Sequence, residues 1–493
     1  MAKGQRITVI GGGLSGLTSA LILARNGHEV TLVERSKRLG LTVRGFSREG
    51  VYFDTGLHYT GGLGEDGIVS RYLRYLGLNK LDVVPFLEDG FDEIRFADTG
   101  RVVRLPVGYQ AMTDALLKQF PEDGPAISTY MAAARADFER SSLLNFFLDM
   151  QNAQQSRATT PLAEYLEGLT GNAHLRATLS AHSLLYGVSP RDVSFTQHAY
   201  VSASYFDSVH NFVGGGRALV RAMEERLGEL DVKVILGNAV RRLVCDQGKR
   251  LSRVELADGS MIETDAAVST VHPFTLADMA GDVFRPSYLE YLRGMRETAS
   301  AFMLFGIADA APECLRGRNL FLCRDPDMTK AFTPGAKPEG GPFFVASSPQ
   351  PPGGNGKAGI VVLAPSSFED VGAWTDSRKT DRPKAYTEYK ESAMRRIHDA
   401  LKELCPELEA VRFVEGATPL TMRDYLDSHR GGLYGCGHTV HQYNPMPVTR
   451  IPNLLLAGQS IIAPGLMGAM ISAFLACGFL LGHETLHKEA ACS

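Results

Sequence analysis

The stretch RITVIGGGLSGLTSALILARNGHEVTLVER, residues 6–35, constrains the fold of this chain more than any other. Arg6 to Ile10 is a short β-branched run, and Gly11, Gly13 and Gly16 set the spacing G-x-G-x-x-G. Leu17, Ala20, Leu21 and Ala24 recur at helical intervals until Asn26-Gly27, and Val30 to Val33 reads as a second strand ending at Glu34. Such a βαβ unit is suited to a dinucleotide: Gly11 permits the turn, Gly13 lets backbone approach a pyrophosphate, and Gly16 lets helix pack closely on strand. The pyrophosphate meets free N–H groups at the positive end of the helix dipole. Glu34 can accept hydrogen bonds from both ribose hydroxyls, and its charge repels a 2′-phosphate, which argues against NADP. Leu14 and Ser15 in the first turn and Arg35 beside the glutamate complete the candidate contacts. A glycine triplet alone is weak evidence; strand, helix and acid in register give it weight.

The totals bound the rest. A chain of 493 residues exceeds one ordinary core, so two interleaved or sequential domains are expected. With 51 Lys+Arg against 55 Asp+Glu there is no field suited to a phosphate backbone, and nucleic acid is excluded as the expected partner. Seven scattered cysteines without C-x-x-C give neither a disulfide framework nor a zinc cage. The first residues lead from a short polar stretch into a strand without a signal-peptide pattern. A cytoplasmic setting is expected, with contact at the inner face of a membrane as an option. The sequence carries no reading of oligomeric state.

The following block, SKRLGLTVRGFSREGVYFDTGLHYTGG (residues 36–62), resembles the second flavin-contacting segment of the FAD-dependent amine oxidase and phytoene desaturase superfamily. There, a glycine pair follows the ribose-binding Glu and an apolar strand ends in Asp-x-Gly. Here Gly40 holds the first glycine, Leu41 stands where the second is usual, and Thr42 where many members carry Arg. The run Asp54-Thr-Gly-Leu-His-Tyr59 is similar to the retinol saturase and carotenoid isomerase branch. The resemblance implies FAD, with Gly40, Thr42, Gly56, Leu57 and His58 beside it. Asp54 can brace a turn. His58 and Tyr59 are the candidate catalytic pair; the alternative is that both only pack the loop.

Farther on, IRFADTGRVVRLP (residues 94–106) reads as a hairpin, and a mostly helical region extends to about residue 205. Gly214 to Gly216 open a helix, Val232–Leu236 and Val240–Cys245 alternate as strands, and Asp265–Thr270 is a buried-type strand. The resemblance places Val240 near the adenine. Spaced apolar runs between residues 300 and 415 suit an antiparallel sheet, the floor of a substrate cavity. The fold expected is α/β, a Rossmann-type FAD domain interleaved with an α+β substrate domain containing that sheet. Residues 1–75, 206–285 and 413–493 would make the former, and 76–205 and 286–412 the latter.

Near the C-terminus, LLLAGQSIIAPGLMGAMISAFLACGFLLG (residues 454–482) lacks any charged side chain. Length alone allows a membrane span. Gly458-Gln459-Ser460 and Pro464-Gly465 instead divide it into a strand and a helix over Leu466–Leu481, whose small residues Gly468, Ala469, Ser472, Ala473 and Ala476 admit something flat or another backbone. This arrangement resembles the superfamily's C-terminal flavin motif, which implies cofactor roles for Gly458, Gln459, Gly465, Leu466 and Met467. His429, Arg430, Tyr434, His438 and His441, just upstream, are further candidate acid/base groups. The histidine spacings lack acidic partners or a helical face, so no metal site is expected.

Three functions compete. An FAD oxidoreductase or isomerase would act on double bonds of a long polyene, carotenoid, retinoid or related lipid, by saturation, desaturation or cis–trans isomerisation. A flavin amine or amino-acid oxidase would want aromatic walls and usually a lysine-held water. A non-enzymatic prenyl-lipid carrier similar to the GDP-dissociation inhibitors would lack a full set of flavin contacts. The apolar run SSLLNFFLDM (residues 141–150) is a candidate membrane-dipping element.

Overall fold

Five short strands form one parallel sheet in the computed structural model, which describes residues 4–141, 159–247 and 249–492; its inner strands are largely buried, while the outer Lys233–Leu236 is mostly exposed. The order is Leu454–Leu456, Ala266–Ser269, Arg6–Ile10, Glu29–Glu34 and Lys233–Leu236. Helices Leu14–Arg25 and Gly465–Leu481 pack together on one side, sharing a core with Leu17, Leu21, Met470 and Ala473. A three-stranded antiparallel sheet, Val240–Cys245, Leu251–Leu256 and Met261–Glu263, shares a second core with Ile10 and Val33. The charge-free C-terminal stretch is largely interior, with Phe479 as its exposed large apolar side chain. Its strand breaks at Gly458 and its helix begins at Gly465, where a Cβ at Gly468 would fall 2.4 Å from the Ala463 carbonyl oxygen. The small-residue face receives the first helix: Ser15 Oγ donates to the Ala469 carbonyl at 2.9 Å. Among the described residues no helix is long and apolar enough to cross a membrane.

The second sheet has seven strands in the order Arg412–Ala417, Ser300–Ala308, Ala358–Ser366, Phe343–Ser348, Asn319–Cys323, Asp92–Phe96 and Arg101–Leu105. It is antiparallel except between Asn319–Cys323 and Asp92–Phe96. One expectation needs correcting. The strand Arg412–Ala417, assigned to the cofactor portion from residue 413 onward, belongs to this sheet. Ser300–Ala308, buried along its whole length, takes it as its outer hydrogen-bonding partner. The hairpin near residue 100 also joins this sheet, through Asp92–Phe96. Helix Lys384–Leu404 shares a core with strand residues Leu304, Leu320 and Val362, and helix Phe195–Asp207 lies in another core with Phe321 and Phe344. The membrane-dipping candidates Phe146 and Phe147 lie outside the described residues.

Candidate cofactor and substrate site

The glycine turn after the first strand opens onto a cavity of about 790 Å³, also lined by Met303, Phe305, Leu363 and Glu415 of the seven-stranded sheet. Gly11 has φ of +103°, conformational space that favours glycine, and its N–H donates to the Val33 carbonyl. Gly16 faces the protein, since a Cβ there would lie 1.9 Å from the Gly11 carbonyl oxygen. Gly13 faces the void, with nothing within 4 Å of an added Cβ. Glu34 lies beneath this turn and accepts N–H donors from Gly12 at 2.6 Å and Ser36 at 2.8 Å. One bond to each oxygen fixes the carboxylate and leaves lone pairs for further hydroxyl donors. Leu14, Ser15, Arg35 and Val240 line the same cavity, and Arg35 is held by Asp427 at 2.8 Å.

Thr42, Gly56, Leu57 and His58 form part of the wall. A Cβ at Gly56 would meet the Thr42 carbonyl oxygen at 2.4 Å, so the approach of one chain segment to another already demands glycine there. Gly40 stands apart. It has φ of +65°, its N–H donates to the Gly12 carbonyl, and a Cβ would strike Val220 at 2.5 Å, so it packs the turn against helix Gly216–Glu229 and does not line the cavity. Asp54, fully buried, accepts the Tyr52 hydroxyl at 2.5 Å and the Gly216 N–H at 3.0 Å, bracing that helix's N-terminus. Burial nevertheless raises its pKa to about 7 against these hydrogen bonds.

From the other end come Gly458, Gln459, Gly465 and Leu466. Ser472 Oγ receives the Gly458 N–H at 2.8 Å, and His438 Nε2 lies 2.8 Å from the Gln459 carbonyl oxygen. No hydrogen bond among the described residues engages the Gln459 side-chain amide, which is turned to the cavity. Gly465 has nothing within 4 Å of an added Cβ, so the space before the helix N-terminus is open as well. The remaining upstream candidates disperse: His429 stacks on Phe274, Arg430 pairs with Glu369, and His441 is exposed near Asp192.

A second cavity, about 130 Å³, shares Gly56, Leu57, His58, Tyr434, Gly465 and Leu466 with the first. Met467 lines this one rather than the larger. Tyr59, Tyr186, Tyr200 and Tyr205 also face it, and none of its described lining residues is Asp, Glu, Lys or Arg. Sequence reasoning missed Tyr186, Tyr200 and Tyr205, although Gln197, Tyr200, Val201, Ser204 and Tyr205 form an i, i+3, i+4, i+7, i+8 stripe of one helix. The two proposed catalytic side chains part ways here. Tyr59 donates its hydroxyl to Asp92 at 2.8 Å, a buried carboxylate that also receives Asn319 and lies 3.0 Å from His182 Nε2. That proton is directed into the core and away from the cavity. His58 has no partner for its Nδ1 among the described residues, and desolvation lowers its pKa to about 4, so it is neutral at pH 7. Tyr434, where the two cavities meet, has no hydroxyl hydrogen bond among the described residues, and burial pushes its pKa up to about 12.

Open space above Gly13 and before Gly465, a braced Glu34 and an uncommitted amide at Gln459 fit a long dinucleotide carrying ribose hydroxyls at one end and a polyol at the other. Fold and site together define a flavin-dependent oxidoreductase. The chain belongs to the family of flavin containing amine oxidoreductases, whose profile matches residues 14–478, and its cofactor is FAD. It is similar to the all-trans-retinol 13,14-reductase of Danio rerio, 25% identical with 98% of this chain and 86% of the relative covered. It is also similar to a 4,4'-diapophytoene desaturase of Staphylococcus haemolyticus, 22% identical over 92% of this chain and 94% of that one. Among solved structures, an oxidoreductase from Methanosarcina mazei shares the fold at a TM-score of 0.69 and 14% identity, covering 96% of this chain and 99% of its own.

Proposed function

We propose that the protein acts on carbon–carbon double bonds of an elongated, mostly hydrocarbon polyene of the retinoid or carotenoid type, by saturation, desaturation or isomerisation. The observation that carries this reading is the second cavity, ringed by tyrosines and free of charged side chains among its described residues. The names of the retinol reductase and diapophytoene desaturase relatives support the same substrate class. Bound FAD would supply hydride chemistry at a carbon of that chain. Gly13, Glu34, Gly458, Gln459 and the Gly465 helix end would hold the cofactor. Leu57, Tyr205 and Leu466 would hold the chain in line and exclude water, which supplies much of the rate when the chemistry needs no charged catalyst. Neutral His58 cannot act as an imidazolium acid at pH 7, so Tyr434 is the better candidate to hold or deliver a proton at its hydroxyl.

The test is anaerobic incubation of FAD-loaded protein with a retinoid or carotenoid, using oxidised and reduced flavin separately. A product heavier by two hydrogens, lighter by two, or of equal mass identifies the direction. Tyr434→Phe should lower turnover at least tenfold with an unchanged flavin spectrum. No conversion of any polyene in either redox state would sink the reading. Amine oxidation receives less support because the tyrosine walls of the second cavity come with no lysine among its described lining residues; amine-dependent peroxide release would reverse that judgement. The prenyl-carrier alternative conflicts with membership of a flavin family. A cytoplasmic location with peripheral membrane contact belongs to the same proposal, since a hydrocarbon substrate must leave a bilayer; vesicle flotation with the purified chain checks it.

A further inference from the structure

In a core cluster that does not line either cavity, Cys314, in the turn Glu313–Leu315, meets Cys405, which caps helix Lys384–Leu404. Their sulfurs and a Glu407 carboxylate oxygen all lie within 4.8 Å of one another. Cys405 Sγ donates to Glu407 Oε2 at 3.3 Å. Arg95 Nη1 reaches both Cys405 Sγ at 3.5 Å and Glu407 Oε1 at 3.0 Å, while its Nε binds Glu93. Two thiols and a carboxylate are also zinc ligands, but a fixed guanidinium beside Cys405 and Glu407 opposes a dication. Cys314 is 8% exposed and Cys405 wholly buried, which orders their access to a small oxidant.

We propose that Cys314 and Cys405 form a peroxide-sensitive dithiol that closes reversibly to a disulfide. The Cys314 thiolate attacks hydrogen peroxide; an S–O bond forms, the O–O bond breaks, and hydroxide leaves to be protonated to water. Cys405 passes its proton to Glu407 and attacks the Cys314 sulfenic sulfur. The S–S bond forms, the S–O bond breaks, and the departing hydroxide takes that proton as a second water. Two thiols are oxidised and one peroxide is reduced. The neighbouring Cys405 thiol lowers the Cys314 pKa from its ordinary value, which favours Cys314 as the attacking sulfur. The bond would fasten the C-terminal end of a helix whose N-terminal half contributes Tyr386 and Lys390 to the main cavity wall.

The experiment treats the FAD-loaded full chain with one to a few equivalents of hydrogen peroxide and maps the non-reduced digest by mass spectrometry. A peptide linking Cys314 to Cys405, reversed by dithiothreitol, is expected. It should be lost in Cys314→Ser and Cys405→Ser and retained in Cys492→Ser, which removes an exposed cysteine. Glu407→Gln should slow closure at least tenfold, so that a dimedone adduct accumulates on Cys314. Free thiols at both positions while Cys492 is oxidised would overturn the proposal. So would one tightly held zinc per chain that is lost in Cys314→Ser, because the cluster would then be a metal centre.

Discussion

Gly13 and Gly16 lie three residues apart in one turn, and an added methyl group meets opposite surroundings at the two. At Gly13 the backbone has φ of −74°, open to any residue, and nothing lies within 4 Å of the new carbon. Gly13→Ala should therefore fold, with the apo protein no less stable, because alanine has less unfolded-state freedom to lose. It places a methyl group where a pyrophosphate would approach the turn. Overpacking of that size costs about 1–3 kcal/mol, so FAD should bind roughly 5- to 150-fold more weakly. At Gly16 the same carbon would lie 1.9 Å from the Gly11 carbonyl oxygen, more than 1 Å inside the closest separation a real Cβ tolerates. Helix and strand must part, at a cost on the order of 3 kcal/mol or more. Gly16→Ala should thus melt well below the wild type and lose flavin as a consequence. Thermal denaturation of the apo proteins and flavin-fluorescence titration separate the two. A wild-type dissociation constant for Gly13→Ala would refute the placement of the cofactor, and a wild-type melting temperature for Gly16→Ala would refute the packing argument.

Gln459→Ala should weaken FAD binding by roughly fivefold, about 1 kcal/mol for a lost hydrogen bond, and shift the flavin potential; identical affinity and potential would remove Gln459 from the site. Asp54, with its pKa raised from 3.8 to about 7, binds a proton more tightly folded than unfolded, so its contribution to stability is present below about pH 4 and lost as pH rises through about 7. Asp54→Asn should accordingly gain on the wild type between pH 5 and pH 8, with a ceiling of about 4 kcal/mol, and a difference in melting temperature that does not vary with pH would count against it. Phe474, stacked on Tyr72 at 3.9 Å between centroids, should cost about 3–5 kcal/mol as Phe474→Ala, read by chemical denaturation.

What could be read in advance was local. The spacing of Gly11, Gly13 and Gly16, with Glu34 at the end of the next strand, encodes a βαβ turn whatever the rest of the chain does, and Gly458 and Pro464-Gly465 punctuate the apolar stretch in the same self-contained way. Gly40 illustrates the limit. A glycine required by contact with Val220 and one required by a cofactor look alike in sequence, because both answer to close approach. The strand Arg412–Ala417 was misplaced because sheet membership depends on Ser300–Ala308, more than a hundred residues earlier. Tyr186, Tyr200 and Tyr205 belong to no motif and line the same cavity as His58 only through tertiary packing; the helical stripe through Tyr200 and Tyr205 was the one available signal. Tyr59 was recognised as polar and near the site, but its partner Asp92 stands on a different strand.

The central strand Arg6–Ile10 pairs with Ala266–Ser269, which in turn pairs with Leu454–Leu456. During synthesis the first strand can pair early with Glu29–Glu34 but waits for its second neighbour some 260 residues away, and that neighbour for one nearly 190 residues beyond it. At about 5–20 residues per second, the ribosome needs roughly half a minute to a minute and a half to reach the last of them. Until then the apolar edge of Ala266–Ser269 has no mate, and the groove framed by Gly11 and Gly458 does not exist. Vectorial, domain-by-domain folding is closed to such a chain. Flavin capture becomes a late event that reports completion of the whole molecule, and nascent chains halted before residue 456 should depend on holdase chaperones to avoid pairing with one another.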